Sequence, residues 1–171
     1  PKPNWLKVPV PAGASVHRLE STLRARQLHT VCEEARCPNQ GECWADGTAT
    51  FMVLGDTCTR GCRFCAVKTH AEGNPVDPDE PAKVADAALA MGLRYVVLTM
   101  VDRDDLADGG SAHVAATIRA LKARKAEMLV EALVAELGGD ASQIATVLDG
   151  APDVFAHNVE TVLRLTPRVR D

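Results

Sequence analysis

The sequence predicts an α/β protein built on a partial (β/α) TIM-like barrel, preceded by a cysteine-rich N-terminal extension. From residue 48 onward, short apolar runs rich in β-branched residues alternate with amphipathic helices, which is typical of a parallel sheet with right-handed crossover connections, either barrel-like or doubly wound. We count about four such strands, too few to close a barrel of eight. Four strands would leave an exposed edge, so we expect this chain to be part of a longer protein, with residues 1–47 as the extension and 48–171 as the barrel part.

Apolar periodicity and capping signals predict the elements in order. Ser15 is a plausible N-cap of a helix that ends near Gln27, and the apolar run 49–54 is predicted to be a buried strand. Pro81 and Gly92 bracket a second helix, as expected for a first-turn proline and a C-terminal glycine. The remaining predictions are a strand over 94–99, a helix from Ser111, an apolar run over 129–134 that fits either a strand or a helix, a short helix over 142–149, a strand over 153–157 and a helical stretch over 159–165.

Composition and charge exclude several classes of protein. The formal net charge of −4 offers no basic field for nucleic acid, and no apolar run approaches the ~20 residues of a membrane span. We therefore expect neither a nucleic-acid partner nor a membrane partner. All six cysteines lie between positions 32 and 65. A long remainder without cysteine favours metal or redox chemistry in a reducing compartment over a disulfide framework.

Three cysteines follow the first predicted barrel strand with the spacing Cys58-x3-Cys62-x2-Cys65. Three thiolates on so short a loop can converge on one metal centre and leave one coordination position open. The spacing fits an iron–sulfur cluster with one bare iron better than it fits structural zinc, for which His70 could serve as a fourth ligand. In parallel α/β folds the site lies at the carboxyl ends of the strands, which is where this loop is expected.

A second cysteine triplet lies upstream, with the spacing Cys32-x4-Cys37-x5-Cys43. It is a separate set rather than an extension of the first. Residues 29–44 are predicted to form a turn-rich loop able to wrap a second cluster, because they include Pro38, Asn39 and Gly41.

The two triplets and the blocks around them resemble the lipoyl synthase family of the radical S-adenosylmethionine (SAM) superfamily. Phe64, directly before the last cysteine of the downstream triplet, also fits the superfamily signature. The other blocks that carry the resemblance lie, in order, at residues 2–7, 29–35, 48–52, 93–97, 101–106, 108–110 and 152–155. They span nearly the whole chain.

The resemblance implies a chemistry with two four-iron clusters and SAM as cofactors. The downstream triplet, Cys58, Cys62 and Cys65, would hold the cluster that binds SAM and cleaves it to a 5′-deoxyadenosyl radical. The upstream triplet would hold an auxiliary cluster that donates sulfur. The reaction would insert two sulfur atoms at the sixth and eighth carbons of a protein-bound octanoyl group and so form a lipoyl group.

The resemblance and the predicted strand ends together give candidate SAM contacts. A glycine-rich segment approaches the SAM amino group in the family, and glycines allow such an approach because they lack side chains. Polar groups at or near the predicted strand ends complete the set. The candidates are Phe64, Thr99, Asp102, Gly109, Gly110, Glu131 and Asn158.

The family also implies partners and a location. The substrate would be an octanoylated lipoyl-carrier domain of a 2-oxoacid dehydrogenase complex or the H protein of glycine cleavage. A small donor such as ferredoxin or flavodoxin would supply electrons. The location would be the cytoplasm in a bacterium or the organellar matrix in a eukaryote.

The sequence departs from the family pattern at several positions. The family closes its auxiliary cluster with a serine in a C-terminal Arg-Ser-x-x-Ser motif, which these residues do not contain. Met100, the segment 135–137 and Ala156 also replace the usual family residues. Two alternatives stay open: another radical SAM sulfur-inserting enzyme of the biotin synthase type, and a non-enzymatic zinc-binding module.

Overall fold

The computed structural model describes Pro3 and residues 14–35 and 37–171, with the backbone alone for residues 14–19. In chain order the elements are α1 (Ala14–Ala25), β1 (His29–Thr30), α2 (Val31–Glu34), α3 (Gln40–Ala45), β2 (Thr48–Val53), β3 (Thr57–Cys58), β4 (Lys68–Thr69), α4 (Glu80–Ala90), β5 (Tyr95–Met100), α5 (Ser111–Arg124), β6 (Leu129–Leu133), a 3-10 turn (Leu137–Gly139), α6 (Ala141–Leu148), β7 (Val154–Ala156) and α7 (Thr166–Val169). Among the helices described, none is long and apolar enough to cross a membrane.

The main sheet has five strands in the order β1-β2-β5-β6-β7. The last four are parallel, and β1 is added antiparallel to β2 at one edge. Their carboxyl ends are aligned, because Met52 pairs with Thr99, Thr99 with Leu133, and Leu133 with Ala156. The predicted fold class, an α/β partial barrel with about four parallel strands, is confirmed.

The core lies between one face of this sheet and the helices α4 and α5. Alternate residues of β5 and β6 are buried, as is most of β2, and Phe51, Leu98 and Val130 are almost fully enclosed. Successive side chains of a strand point to opposite faces, so the intervening residues face the other way. On that second face Tyr95, Glu131 and their neighbours are only half-buried. The inner face of the partial barrel is therefore open among the residues described.

The helices begin and end where the local sequence requires. Pro81 lies in the first turn of α4, where its missing N–H costs nothing, and the chain leaves that helix through Gly92 at a φ of +68°. The ambiguous apolar run at 129–134 forms strand β6. Glycines at 109 and 110, both with positive φ, turn the chain into α5.

The segment preceding β2 differs from the prediction. Residues 29–44 were expected to form a turn-rich loop, which is wrong, because they contain β1 and the short helices α2 and α3. Thr30 caps α2: its hydroxyl accepts from Glu33 N at 3.2 Å and donates to Glu33 Oε2 at 2.9 Å. This Thr-x-x-Glu pattern is a local helix-start signal, and it outweighs the turn residues that follow.

Two other boundaries also differ from prediction. Ser15 lies inside α1 rather than at its N-cap. The predicted helix over 159–165 is wrong, and a short helix forms instead at Thr166–Val169. Pro167 sits in the first turn of that helix, a position that suits proline, whereas it would break a helix running through it.

The resemblance block at residues 2–7 lies outside the described residues, apart from Pro3.

Candidate active site

A cavity of about 210 Å³ opens at the carboxyl ends of β5 and β6. The loop after β2, the loop after β5 and the segment after β7 all contribute to its wall, as expected for a site at the carboxyl ends of parallel strands. Its lining residues are Cys58, Arg60, Cys62, Phe64, Cys65, Thr99, Met100, Val101, Asp102, Leu133, Val134, Ala135, His157, Asn158, Glu160 and Arg170. The three thiols of the downstream triplet therefore share one cavity.

The cysteine loop is closed at its base by a small second sheet. Strand β3, which includes Cys58, pairs in parallel with β4, and His70 N donates to Cys58 O at 3.0 Å. Within the loop Cys65 N donates to Cys62 O at 3.0 Å. These backbone contacts bring the two ends of the loop together, so three thiols project from one short, tied segment.

The cysteine loop is also attached to the loop that follows β5. Thr59 N donates to Asp102 O at 2.9 Å, and the Thr59 hydroxyl is 2.9 Å from Asp104 Oδ2. Arg60 donates to both oxygens of Asp104, at 2.8 and 2.7 Å. A two-point contact of this kind fixes both distance and orientation. It holds the cysteine loop against the polar residues of the cavity wall.

Burial shifts the pKa of two groups in the cavity, Asp102 and Cys58. Burial raises the pKa of the Asp102 carboxyl, and the nearby Arg60 guanidinium opposes that effect. Burial likewise raises the pKa of the Cys58 thiol, while the backbone N–H of Arg60, 3.5 Å from the sulfur, lowers it. Cys58 Sγ lies 3.9 Å from Asp102 Oδ2.

The upstream triplet forms a second, separate group of thiols. Cys32 is buried on α2, Cys43 lies on α3, and Cys37 lies between the two helices, its N–H donating to Cys32 O at 3.0 Å. Burial raises the pKa of the Cys43 thiol, and the thiols of Cys32 and Cys37 raise it further. The three side chains are therefore near enough to interact.

Comparison with known families accounts for this arrangement. A model of the radical SAM superfamily matches residues 52–170, which is more than half of the chain. The chain belongs to the radical SAM superfamily. A second model, the N-terminal domain of lipoyl synthase of the radical SAM family, matches residues 2–37. The predicted membership is confirmed.

Several curated relatives of this radical SAM chain are lipoyl synthases. The lipoyl synthase of Thermus thermophilus is 58% identical over 99% of this chain and 53% of its own length. The mitochondrial lipoyl synthase of Zea mays is 57% identical over 100% of this chain and 46% of its own length. The lipoyl synthase of Anaeromyxobacter sp. is 56% identical over 99% of this chain and 58% of its own length. The chain thus spans about half the length of the curated relatives it matches.

Membership of the radical SAM superfamily implies SAM and an iron–sulfur cluster as cofactors, and the thiols fit such a cluster. All six cysteines are free. Among the described residues, no three His, Cys, Asp or Glu side chains are close enough together to hold a single metal ion. The three free cysteines of the downstream triplet all line one cavity, as three ligands of one iron–sulfur cluster must. The ring of His70, the candidate zinc ligand, contacts Glu72 O at 3.0 Å instead.

The structure brings together some of the candidate SAM contacts and leaves others apart. Phe64, Thr99, Asp102 and Asn158 line the cavity beside the cysteines, whereas Gly109, Gly110 and Glu131 do not. Gly110 packs against the side chain of Leu54 at the start of α5. Glu131 accepts a hydrogen bond from the Tyr95 hydroxyl on the open sheet face. Their roles in SAM binding remain predictions.

Sequence reasoning missed Arg170 as a cavity residue. Its guanidinium donates to Glu136 Oε2 at 2.8 Å and to Asn158 O at 3.4 Å. The carboxylate of Glu136 also contacts Arg60, so one acidic group joins two arginines from distant parts of the chain. No local signal could have found Arg170, because its position depends on the irregular path of the segment after β7.

Proposed function

We propose that this chain carries the SAM-cleaving centre of a lipoyl synthase, a radical SAM sulfurtransferase. The reaction inserts two sulfur atoms at the sixth and eighth carbons of a protein-bound octanoyl group. The observation that carries the proposal is the presence of two separate triplets of free cysteines, one in the cavity at the strand ends and one on α2 and α3. The N-terminal family match and the relatives support the same function.

The downstream triplet and its surroundings would bind and orient SAM. When bound there, an iron–sulfur cluster supplies the electron that cleaves SAM, so the protein mainly provides ligands and positioning. Thr99, Asp102 and Asn158 present polar atoms to the same cavity as the thiols, and Phe64 adds an aromatic surface. A radical must be kept from water, and a site recessed at the strand ends favours that exclusion.

The upstream triplet would hold the second cluster, the source of the inserted sulfur. Cys32, Cys37 and Cys43 supply three ligands, and the family's serine motif would supply the fourth from outside these residues. Because Cys32 is buried and Cys43 is only partly exposed, such a cluster would be enclosed on the protein side. The proposal includes the division into an extension, 1–47, and a barrel part, 48–171.

Partners and location follow from the proposed reaction. The substrate would be an octanoylated lipoyl-carrier domain of a 2-oxoacid dehydrogenase complex or the glycine cleavage H protein, with ferredoxin or flavodoxin as electron donor. Relatives from bacteria and relatives named as mitochondrial support a location in the bacterial cytoplasm or the organellar matrix.

Substituting one cysteine of each triplet tests the two roles separately. In the full-length protein, Cys58→Ala should abolish formation of 5′-deoxyadenosine, because the SAM-binding cluster loses a ligand. Cys32→Ala should retain 5′-deoxyadenosine formation and yield no lipoyl product. Both products are measured by chromatography with mass spectrometry after anaerobic reconstitution.

Iron and sulfide analysis is the control for these variants. The wild-type protein should hold about eight irons, the content of two four-iron clusters, and each variant about four. Persistent 5′-deoxyadenosine from the Cys58 variant would contradict the assignment of the SAM site. Lipoyl product from the Cys32 variant would contradict the sulfur-donor role.

A further inference from the structure

The chain enters the cysteine loop through an unusual turn at Leu54. This residue has a φ of +70°, and Gly55 after it has a φ of +89°. A bulky residue in the left-handed region persists only where its surroundings hold it there. Leu54 is buried, and Cys58 follows four residues later. The conformation of Leu54 therefore sets the direction in which the cysteine loop leaves β2.

Two buried charged side chains hold the backbone of Leu54. Its N–H donates to Glu80 Oε2 at 2.9 Å, and its carbonyl accepts from Arg103 Nη1 at 3.3 Å. Glu80 is 6% exposed and Arg103 is 3% exposed. Buried charges are costly unless they are paired and hydrogen-bonded, so both groups need fixed partners.

Glu80 has such a partner on another helix, and Arg103 has one in its own loop. Glu80 Oε2 lies 2.6 Å from His113 Nε2 on α5, and Arg103 donates to both oxygens of Asp105 at 2.8 Å. Gly73 leaves room for the guanidinium, because a Cβ there would lie 2.3 Å from Arg103 Nε. Neither Glu80 nor Arg103 can turn away without losing a buried contact.

Among the contacts described, the residues Glu80, His113 and Arg103 are connected to the cavity wall only through the backbone. Asp102, directly before Arg103, lines the cavity, and its carbonyl accepts from Thr59 N in the cysteine loop. Glu80, His113 and Arg103 are absent from the cavity lining. Any effect of these three side chains on SAM must therefore pass through the backbone, either that of the cysteine loop or that of the loop that follows β5.

We propose that Glu80 is a positioning residue for the SAM site, held by His113 and acting with Arg103 on the two polar groups of Leu54. These contacts fix the exit of β2 and thereby the placement of Cys58, Cys62 and Cys65 relative to the polar wall at Asp102. The inference rests on the proposed cluster at those three cysteines. It assigns no contact with SAM to Glu80.

Two substitutions of Glu80 in the full-length protein separate positioning from mere stability. Glu80→Ala removes the acceptor for Leu54 N–H, whereas Glu80→Gln keeps an acceptor oxygen. After anaerobic reconstitution, Glu80→Ala should keep the iron content but raise the Kd for SAM by about tenfold, because losing one hydrogen bond to a charged group lowers the fraction of molecules whose cysteine loop is correctly placed. Glu80→Gln should restore SAM binding to within about threefold, since the acceptor remains. Binding is followed by the SAM-induced change in the electron paramagnetic resonance signal.

Asp153→Ala is the matched control. Its carboxylate also accepts a backbone N–H, that of Val130 at 2.7 Å, and pairs with Lys122, but it lies at the opposite edge of the sheet. This variant should leave the Kd for SAM unchanged. If Glu80→Ala fails to fold, His113→Ala takes its place. This variant keeps the Glu80 carboxylate but removes the group that orients it, so it should also raise the Kd for SAM, by a smaller factor.

Three outcomes would overturn the inference. One is a wild-type Kd and a wild-type SAM-induced spectrum in Glu80→Ala, and another is an equal loss in Asp153→Ala. The third is unchanged hydrogen exchange at the Leu54 amide in Glu80→Ala, a readout that needs no cluster. A wild-type protein whose cluster signal does not respond to SAM would instead overturn the proposed function, and this inference with it.

Discussion

The contact between Tyr95 and Glu131 has a measurable consequence at the scale of single residues. The Tyr95 hydroxyl donates to Glu131 Oε2 at 2.6 Å. This hydrogen bond, with a contribution from burial, raises the pKa of Tyr95 to about 12. The pKa of an unfolded tyrosine is about 10, so the contact contributes its full stabilisation of the fold below that pH. Its contribution to the free energy of unfolding is lost as the pH rises through about 12.

A spectrophotometric titration can test this pKa directly. The chain contains one tyrosine, so tyrosinate absorbance reports Tyr95 alone. In the folded chain Tyr95 should titrate with a pKa of about 12. In Glu131→Ala its pKa should be closer to about 10, because the acceptor and its charge are gone. The same chain in concentrated guanidinium is the control and should also titrate near about 10. A midpoint near about 10 in the folded wild-type chain would refute the contact.

The same pair shows what a sequence can and cannot predict at a site. The cysteine triplets were recognisable because their members are close together in the sequence. Glu131 was predicted to contact SAM from its place in a strand, yet its hydrogen-bond partner Tyr95 is 36 residues upstream. The partner of a strand residue depends on register between strands, which local patterns do not give.

At the scale of elements, the turn before α5 depends on the absence of a side chain at Gly110. Its φ is +88°, and a Cβ built there would lie 2.3 Å from Leu54 Cδ1. Gly110→Ala should therefore lower the free energy of unfolding by about 2–4 kcal/mol, the sum of backbone strain and overpacking. Urea denaturation followed by circular dichroism measures the change.

Gly92→Ala provides a control for the backbone contribution alone. Gly92 has a similar φ of +68°, but no atom lies within 4 Å of a Cβ built there. Gly92→Ala should therefore lower the free energy of unfolding by about 1 kcal/mol, from backbone strain only. Equal destabilisation by the two variants would show that Leu54 does not press on position 110.

Element prediction succeeded where a single periodicity dominates a segment. The helix α4, the strand β5 and the start of α5 were predicted to within about two residues, the usual uncertainty of helix ends. The failures lie where two local signals compete. In residues 29–44 the capping pair Thr30 and Glu33 outweighed the turn residues, and near the end of the chain Pro167 shifted the helix start.

At the scale of the whole molecule, the open edge of the sheet exposes apolar surface. Strand β7 lies at the edge of the sheet opposite β1, and its Val154 and Phe155 are 40% and 39% exposed. Beyond it Val159 is 73% exposed and Leu163 is 88% exposed. An open strand edge beside exposed apolar residues is a site for association with other chains. The exposed wall expected from counting four strands is present in the part of the chain described.

The 171-residue chain on its own should therefore self-associate as its concentration rises. Leu163→Glu should reduce that association, because it places a charge in the apolar segment, and it should leave the fold intact, because so exposed a side chain contributes little packing. Sedimentation velocity over a concentration series measures the change. Leu148→Glu, at a half-exposed position on α6 outside this segment, is the control and should associate like the wild type. A wild-type chain that stays monomeric throughout would show that this edge does not drive association.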